Sequence, residues 1–158
     1  MSLIQVGDRA PDITFTVRDG QQVSLSDYRG QVVVFFFYPA DNTFFCTREA
    51  CSFRDAFPDF QQAGAVVIGV SGDSDSSHNH FAASKQLPYL LVSDANGSLR
   101  RAFGVRKRFG VLPSRVTYVI DRAGVVRDVF QSQFLAKRHV DNALRIVRNI
   151  DLQSHVNP

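Results

Sequence analysis

The stretch Val32-Val33-Val34-Phe35-Phe36-Phe37-Tyr38-Pro39-Ala40-Asp41-Asn42-Thr43-Phe44-Phe45-Cys46-Thr47-Arg48-Glu49-Ala50-Cys51 decides how this chain reads. Its first six residues are continuously apolar, without the alternation of a half-exposed strand, and predict a strand covered on both faces. Residues 43–62 suit a helix, with Asn42 or Thr43 as the cap and Ala63-Gly64 as the stop. Pro58 falls inside this helix and is expected to kink or shorten it. The thiol of Cys46 therefore lies where a buried strand hands over to a helix N-terminus. Unpaired backbone N–H groups and the positive end of the helix dipole stabilise a thiolate at such a place. Cys51 follows five residues later, close enough in sequence to trap whatever Cys46 becomes. The chemistry this implies is redox, with Cys46 as the nucleophile.

Outward from this stretch, residues 13–17 alternate at period two and end at Asp19-Gly20, a hairpin turn signal, after which Val23-Ser24-Leu25 can pair back. Residues 65–70 predict a second buried strand. Ser71-Gly72-Asp73 leads from it into a helix over 74–85, ended by Leu87-Pro88. A short strand over 89–92 and a short helix over 96–103 follow. Residues 115–120 and 125–130 flank Asp121-Arg122-Ala123-Gly124 as an antiparallel hairpin. The last helix, 136–150, carries Val140, Ala143, Leu144, Val147 and Ile150 on one face, the spacing that packs a helix onto a sheet. This order describes an α/β fold with a central mixed β-sheet flanked by helices. No linker, repeat or low-complexity stretch divides residues 1–158, so a single domain is expected.

Composition narrows the class of molecule. Hydrophobic residues make up 44% and charged residues 21%, ordinary values for a globular protein with one substantial core. The longest apolar run is far short of the roughly 20 residues a membrane helix needs, so no membrane association is expected. The first residues show neither a basic region nor an apolar stretch of the secretory kind, which makes the cytoplasm the default location, with an organelle or the periplasm as alternatives. Two cysteines are too few for a disulfide scaffold and fit a catalytic pair in a reducing compartment. The net charge of +3 is modest. Arg100, Arg101, Arg106, Lys107, Arg108, Lys137, Arg138, Arg145 and Arg148 read as a solvated face plus a loop, with no nucleic-acid motif beside them.

With these residues in place, the chain resembles a peroxiredoxin of the peroxiredoxin Q type, the bacterioferritin comigratory protein subfamily. The resemblance rests on Phe37-Tyr38-Pro39, on Thr43-x-x-Cys46-Thr47-x-Glu49-Ala50-Cys51-x-Phe53-Arg54-Asp55, on Arg115-Val116-Thr117-Tyr118-Val119-Ile120-Asp121, and on Gly7-Asp8-x-Ala10-Pro11-Asp12. It implies a thioredoxin-like fold across the whole chain and a peroxidase that reduces hydrogen peroxide and organic hydroperoxides. Carried over residue by residue, it makes Cys46 the peroxidatic nucleophile that leaves as a sulfenic acid. Thr43 would place its hydroxyl near sulfur and peroxide, Pro39 would shield the site, Arg115 would bring a permanent positive charge, and Glu49 would orient that arginine. Cys51 would resolve the sulfenic acid as an intramolecular Cys46–Cys51 disulfide, recycled by thioredoxin or a similar dithiol reductant. Relatives of this type are often monomers. Neither a cofactor nor a metal is expected, and no nucleic-acid partner.

The resolving step carries a mechanical demand. On an intact helix, residues five apart have Cα atoms roughly 8–9 Å from each other, beyond the approximately 4.4–6.8 Å of disulfides. The start of the helix must melt before the bond can close. The chain also departs from the subfamily, which commonly has Pro-Gly where Phe44-Phe45 stands. Two rings there suggest an entrance suited to bulky organic or lipid hydroperoxides over hydrogen peroxide, or simply packing into the core or a protein contact. Two other chemistries compete: a one-cysteine peroxidase resolved by an external thiol, and a general thiol-disulfide oxidoreductase, which normally has Cys-x-x-Cys rather than Cys-x-x-x-x-Cys. Cys46, Cys51, His78 and His80 match no common metal spacing. His78, His80, His139 and His155 read as exposed histidines.

Overall fold

The computed structural model describes residues 4–17, 20–105, 107–108, 112–113, 115–132 and 135–156. Asp19 of the anticipated hairpin turn, Arg106, and the side chains of Lys107, Arg108 and His155 lie outside the described residues. In chain order the elements are β1 (Thr14–Thr16), β2 (Gln22–Ser24), a 3-10 turn (Leu25–Tyr28), β3 (Val32–Phe37), α1 (Phe44–Gln62), β4 (Ala65–Ser71), α2 (Asp75–Lys85), β5 (Leu90–Ser93), α3 (Ser98–Phe103), β6 (Lys107–Arg108), β7 (Leu112–Pro113), β8 (Val116–Ile120), β9 (Val126–Gln131) and α4 (Ala136–Val156).

Five strands form the central sheet in the order β5-β4-β3-β8-β9. β3, β4 and β5 are parallel, joined by α1 and α2 as crossovers, while β8 runs antiparallel to β3 and pairs with β9 as a hairpin. Every residue of β3 is buried, which is why its sequence shows no alternation. Its even-numbered side chains, Val32, Val34 and Phe36, join the core under α1 and α4. Its odd-numbered ones, Val33, Phe35 and Phe37, join a second core with Phe15 of β1 and Leu99 and Phe103 of α3. The β1–β2 hairpin pairs Phe15 with Val23 as the alternation implies.

One close approach locks α1 to the sheet. Gly69 of β4 stands beside Phe36 in register. A Cβ there would come within 2.7 Å of the Phe36 ring and 2.9 Å of Leu91. The missing side chain lets Phe36 lie flat and stack on Phe53 of α1, with centroids 4.4 Å apart. That contact seats the helix whose first turn holds Cys46.

One expectation is answered in part and one is corrected. α1 continues as one helix through Pro58 to Gln62, so the proline does not shorten it. Losing one backbone bond costs about 3 kcal/mol, but Phe53 and Phe60, both fully buried, flank the proline and Phe57 packs on the same core. Each buried phenylalanine contributes on the order of 2–3 kcal/mol, so packing outweighs the breaker. α4 also continues to Val156 instead of stopping near Ile150. Its anticipated apolar face is correct: Val140, Ala143, Val147 and Ile150 are buried and Leu144 packs beside them. Among the described residues no helix is long and apolar enough to cross a membrane.

Candidate active site

The sheet order explains which residues meet. β3 ends at Phe37, the chain turns through Tyr38 to Asn42, and α1 begins at Phe44 with Thr43 as its cap residue. Cys46 is thus the third residue of the helix, in the turn whose N–H groups lack intrahelical partners. β8 runs antiparallel to β3, with Val116 opposite Phe37. Arg115, immediately before β8, is therefore delivered to the same end of the sheet as Cys46. α4 packs across α1 and β8 and brings His139 to the back of this cluster.

The contacts are close and dry. Arg115 Nη2 donates to Cys46 Sγ at 3.2 Å. Arg115 Nη1 stands 3.3 Å from Glu49 Oε2, one helical turn beyond the cysteine. Cys46 is 2% exposed, Arg115 3% and Glu49 0%. Burial works against a charge on the Glu49 carboxyl and pushes it up to about 8, while the Arg115 guanidinium pulls the other way. Behind Glu49, His139 Nε2 lies 3.8 Å from Oε2 and 2.8 Å from the Ser132 carbonyl oxygen, and Nδ1 lies 2.7 Å from Thr117 Oγ1. An Nε2 facing a carbonyl must carry the hydrogen, so in the neutral ring Nδ1 accepts from the threonine hydroxyl. Burial pushes His139 down to about 4, opposed by the Ser132 carbonyl and helped by Arg115.

His139 supplies a pH test. Its folded value lies below the ordinary 6.5, so the unfolded chain binds the extra proton and stability is lost as pH falls from 6.5 through about 4. The loss amounts to about 3 kcal/mol when complete. Glu49 acts with the opposite sign, its raised value removing stability as pH rises toward 8. Urea unfolding of His139→Asn and the parent between pH 4 and 6.5 should show a shallower acid decline in the variant. An unchanged slope refutes the buried neutral ring.

The loop before α1 is pinned by a separate polar cluster. Asp41 accepts from Tyr38 Oη at 2.6 Å and Ser77 Oγ at 2.8 Å, and lies 2.8 Å from His78 Nδ1. Its backbone N–H donates to Asp73 Oδ2 at 2.7 Å. His78 Nε2 meets the Val92 carbonyl at 3.1 Å. Burial opposes the Asp41 charge, but the bonds from His78, Tyr38 and Ser77 outweigh it and hold the carboxyl below its ordinary value. Asp41, Asp73 and His78 lie close enough to suggest a metal cluster, yet their facing atoms are already joined by these hydrogen bonds. Asn42 takes the left-handed conformation, φ 61°, that asparagine tolerates and that turns the chain into the helix. Thr43, placed at the cap, donates its hydroxyl to the Ala40 carbonyl at 3.0 Å. Pro39 is half-buried at the start of this loop.

Cys51 is half-buried on α1, and both cysteines are free thiols. It shares a continuous helix with Cys46, so the structure holds the two thiols apart as the five-residue spacing requires. The rings of Phe44 and Phe45 meet edge to face at 5.1 Å, with Phe44 67% exposed and Arg48 5.7 Å over its face.

The histidines are the clearest miss. Among the described histidines, His78 and His139 are buried and His80 is exposed, whereas all three were expected in solvent. A signal existed: His78 stands three and four residues before the buried Phe81 and Ala82, and His139 four before the buried Ala143. That spacing puts each ring on the inner face of its helix. Of the basic residues, Arg101, Lys137, Arg138, Arg145 and Arg148 are exposed, as a solvated face requires.

A family model for the AhpC/TSA family matches residues 6–129. The chain is 46% identical over 148 residues to the chloroplastic peroxiredoxin Q of Suaeda salsa, covering 93% of this chain and 69% of that one. Among solved structures, peroxidoxin BcpB from Mycobacterium tuberculosis superposes with a TM-score of 0.85 at 38% identity, covering 93% of this chain and 98% of that one. The bacterioferritin comigratory protein of Xanthomonas campestris, a protein with alkyl peroxide reduction activity, gives a TM-score of 0.83 at 30% identity over 94% of this chain and 99% of that one. The five-stranded mixed sheet is therefore a thioredoxin-like fold, and a buried cysteine beside an arginine is set into it at the end of the first parallel strand. On this evidence the chain belongs to the AhpC/TSA family, within its peroxiredoxin Q group, and is a thiol peroxidase.

Proposed function

We propose that residues 1–158 act as one domain that reduces hydrogen peroxide and organic hydroperoxides at Cys46, with Cys51 resolving the product. The observation that carries this reading is the 3.2 Å contact between Arg115 and the Cys46 sulfur in a site shielded from water. Sγ attacks as a thiolate: an S–O bond forms, the O–O bond breaks, sulfur loses two electrons and the departing oxygen takes up a proton. Arg115 and the first N–H groups of α1 stabilise the charge that develops on that oxygen. Because the Thr43 hydroxyl donates to Ala40, its lone pairs are left to accept from the peroxide O–H and align it. Pro39 shields the site, and Glu49 positions Arg115.

Cys51 then displaces water from the sulfenic acid. With both residues on one helix, at least its first two turns must unwind, so catalysis alternates between a folded peroxide-reactive state and a locally unfolded disulfide state. A thioredoxin-type dithiol in a reducing compartment restores the thiols by exchange. Mass spectrometry after one equivalent of peroxide tests the scheme. The expected product has lost two hydrogens and carries a Cys46–Cys51 link, with hydrogen-exchange protection lost across residues 43–53. A stable oxygen adduct on Cys46 with protection unchanged supports the one-cysteine alternative. Reduction of protein disulfides without peroxide consumption supports a general oxidoreductase.

The exposed Phe44 favours organic substrates as the preferred class. An exposed aromatic face two residues before Cys46, in the first turn of α1, offers a bulky hydroperoxide a contact worth about 1 kcal/mol or more, close to tenfold in kcat/KM. Phe44→Ala should lower the ratio of kcat/KM for cumene hydroperoxide over hydrogen peroxide by about that factor. An unchanged ratio assigns the ring to a different role.

A further inference from the structure

The guanidinium of Arg115 touches two acids. Nη2 meets Cys46 Sγ at 3.2 Å and Nη1 meets Glu49 Oε2 at 3.3 Å, all three side chains being buried. Among the described residues, neither Glu49 oxygen receives a well-aligned hydrogen bond. The other described groups facing Glu49 add no compensating charge: His139 from α4 is held neutral, Thr117 from β8 is spent on His139, and Tyr89, before β5, donates its hydroxyl to the Ala50 carbonyl. One fixed cation cannot neutralise two buried anions, and an unpaired buried charge is strongly disfavoured.

We propose that Cys46 and Glu49 share the single charge of Arg115, so that Glu49 is a protonated acid while Cys46 is a thiolate and ionises as the sulfur becomes a neutral sulfenic acid. The inference rests on Cys46 being the peroxidatic residue. Its balance is complete: thiolate, protonated Glu49 and hydroperoxide give sulfenic acid, ionised Glu49 and alcohol or water. Sulfur supplies two electrons to the O–O bond, and the proton released by Glu49 equals in number the one the departing oxygen takes up, with solvent as intermediary. Glu49 never touches the peroxide. It is a positioning residue that leaves Arg115 undivided on the sulfur before attack and occupies it afterwards, so the net charge of the buried cluster stays constant through the step. The burial that pushes Glu49 up to about 8 works in the same direction.

Glu49 is the only glutamate in the chain, so a ¹³C label on the glutamate side-chain carboxyl gives one resonance that reports its protonation without mutation. The full-length Cys51→Ser protein, which stops at the sulfenic acid, is titrated in its reduced form and after one equivalent of hydrogen peroxide, with dimedone labelling to verify oxidation of Cys46. Expected is a protonated carboxyl at neutral pH in the reduced form, and a protonation constant at least about tenfold weaker after oxidation. A merely structural glutamate titrates identically in both forms. Identical midpoints, or a reduced form already ionised at neutral pH, overturn the proposal while leaving the role of Cys46 standing. Absence of the dimedone adduct overturns both.

Discussion

Cys46→Ser is expected to abolish peroxide reduction while the protein stays folded. The substitution exchanges one atom in a buried side chain, so the packing of α1 on the sheet through Phe36 and Phe53 is untouched. A serine hydroxyl does not ionise beside Arg115 at neutral pH and has no oxidisable sulfur, so neither the nucleophile nor the sulfenic acid can form. Peroxide consumption with a thioredoxin system should fall to the uncatalysed background. Cys51→Ser, by contrast, should retain a first turnover of normal rate and stall afterwards, because it removes only the thiol proposed to resolve the sulfenic acid. Undiminished consumption by Cys46→Ser would move the chemistry elsewhere on the molecule.

Arg115→Ala should lower kcat/KM for peroxide well beyond 30-fold. That bound has a physical origin. An ordinary thiol is roughly 3% ionised at neutral pH, so even complete ionisation supplies only about 30-fold, or some 2 kcal/mol. Any larger loss measures stabilisation of the breaking O–O bond by the guanidinium, where removal of one preorganised donor typically costs about 100–1,000-fold. The fold should survive, because Glu49 can remain a neutral acid when its partner is gone and no charged carboxylate is stranded. Arg115→Lys should recover only part of the rate, since a point charge cannot reach Cys46 and Glu49 together as the two nitrogens of the fork do. Thr43→Val should also lose more than 30-fold by removing the oxygen proposed to align the peroxide. Near-wild-type rates in Arg115→Ala, measured by rapid oxidation kinetics at fixed pH, would defeat the assignment.

The stretch from Val32 to Cys51 shows why some of this was legible in sequence. A continuous apolar run, a cap residue and a thiol three positions into a helix are local properties, and local geometry follows from them: β3 and the start of α1 lie where they were expected. The Arg115 contact was legible only through the resemblance, because it depends on β8 pairing next to β3, a contact across 69 residues. Pro58 does not shorten α1, because propensity is a property of the backbone alone, whereas the helix is held by Phe53, Phe57 and Phe60 packing on either side of the proline. The burial of His78 and His139 is likewise a long-range effect, because the bonds to Asp41, Val92, Thr117 and Ser132 that make it tolerable come from other elements.

By itself the amino-acid sequence determined the order of the first hairpin, the five strands of the central sheet and the four α-helices, the presence of a thiol at a helix N-terminus, and the need to unwind α1 before Cys46 and Cys51 can join. These follow from periodicity and spacing along one chain. Only the tertiary structure decided that Arg115 stands between Cys46 and Glu49, that a neutral His139 closes the back of the site, and that Asp41 and His78 hold the loop in front of it. Those relations join residues far apart in the chain, and the burial that sets the charge on each exists only once the sheet and helices have enclosed them.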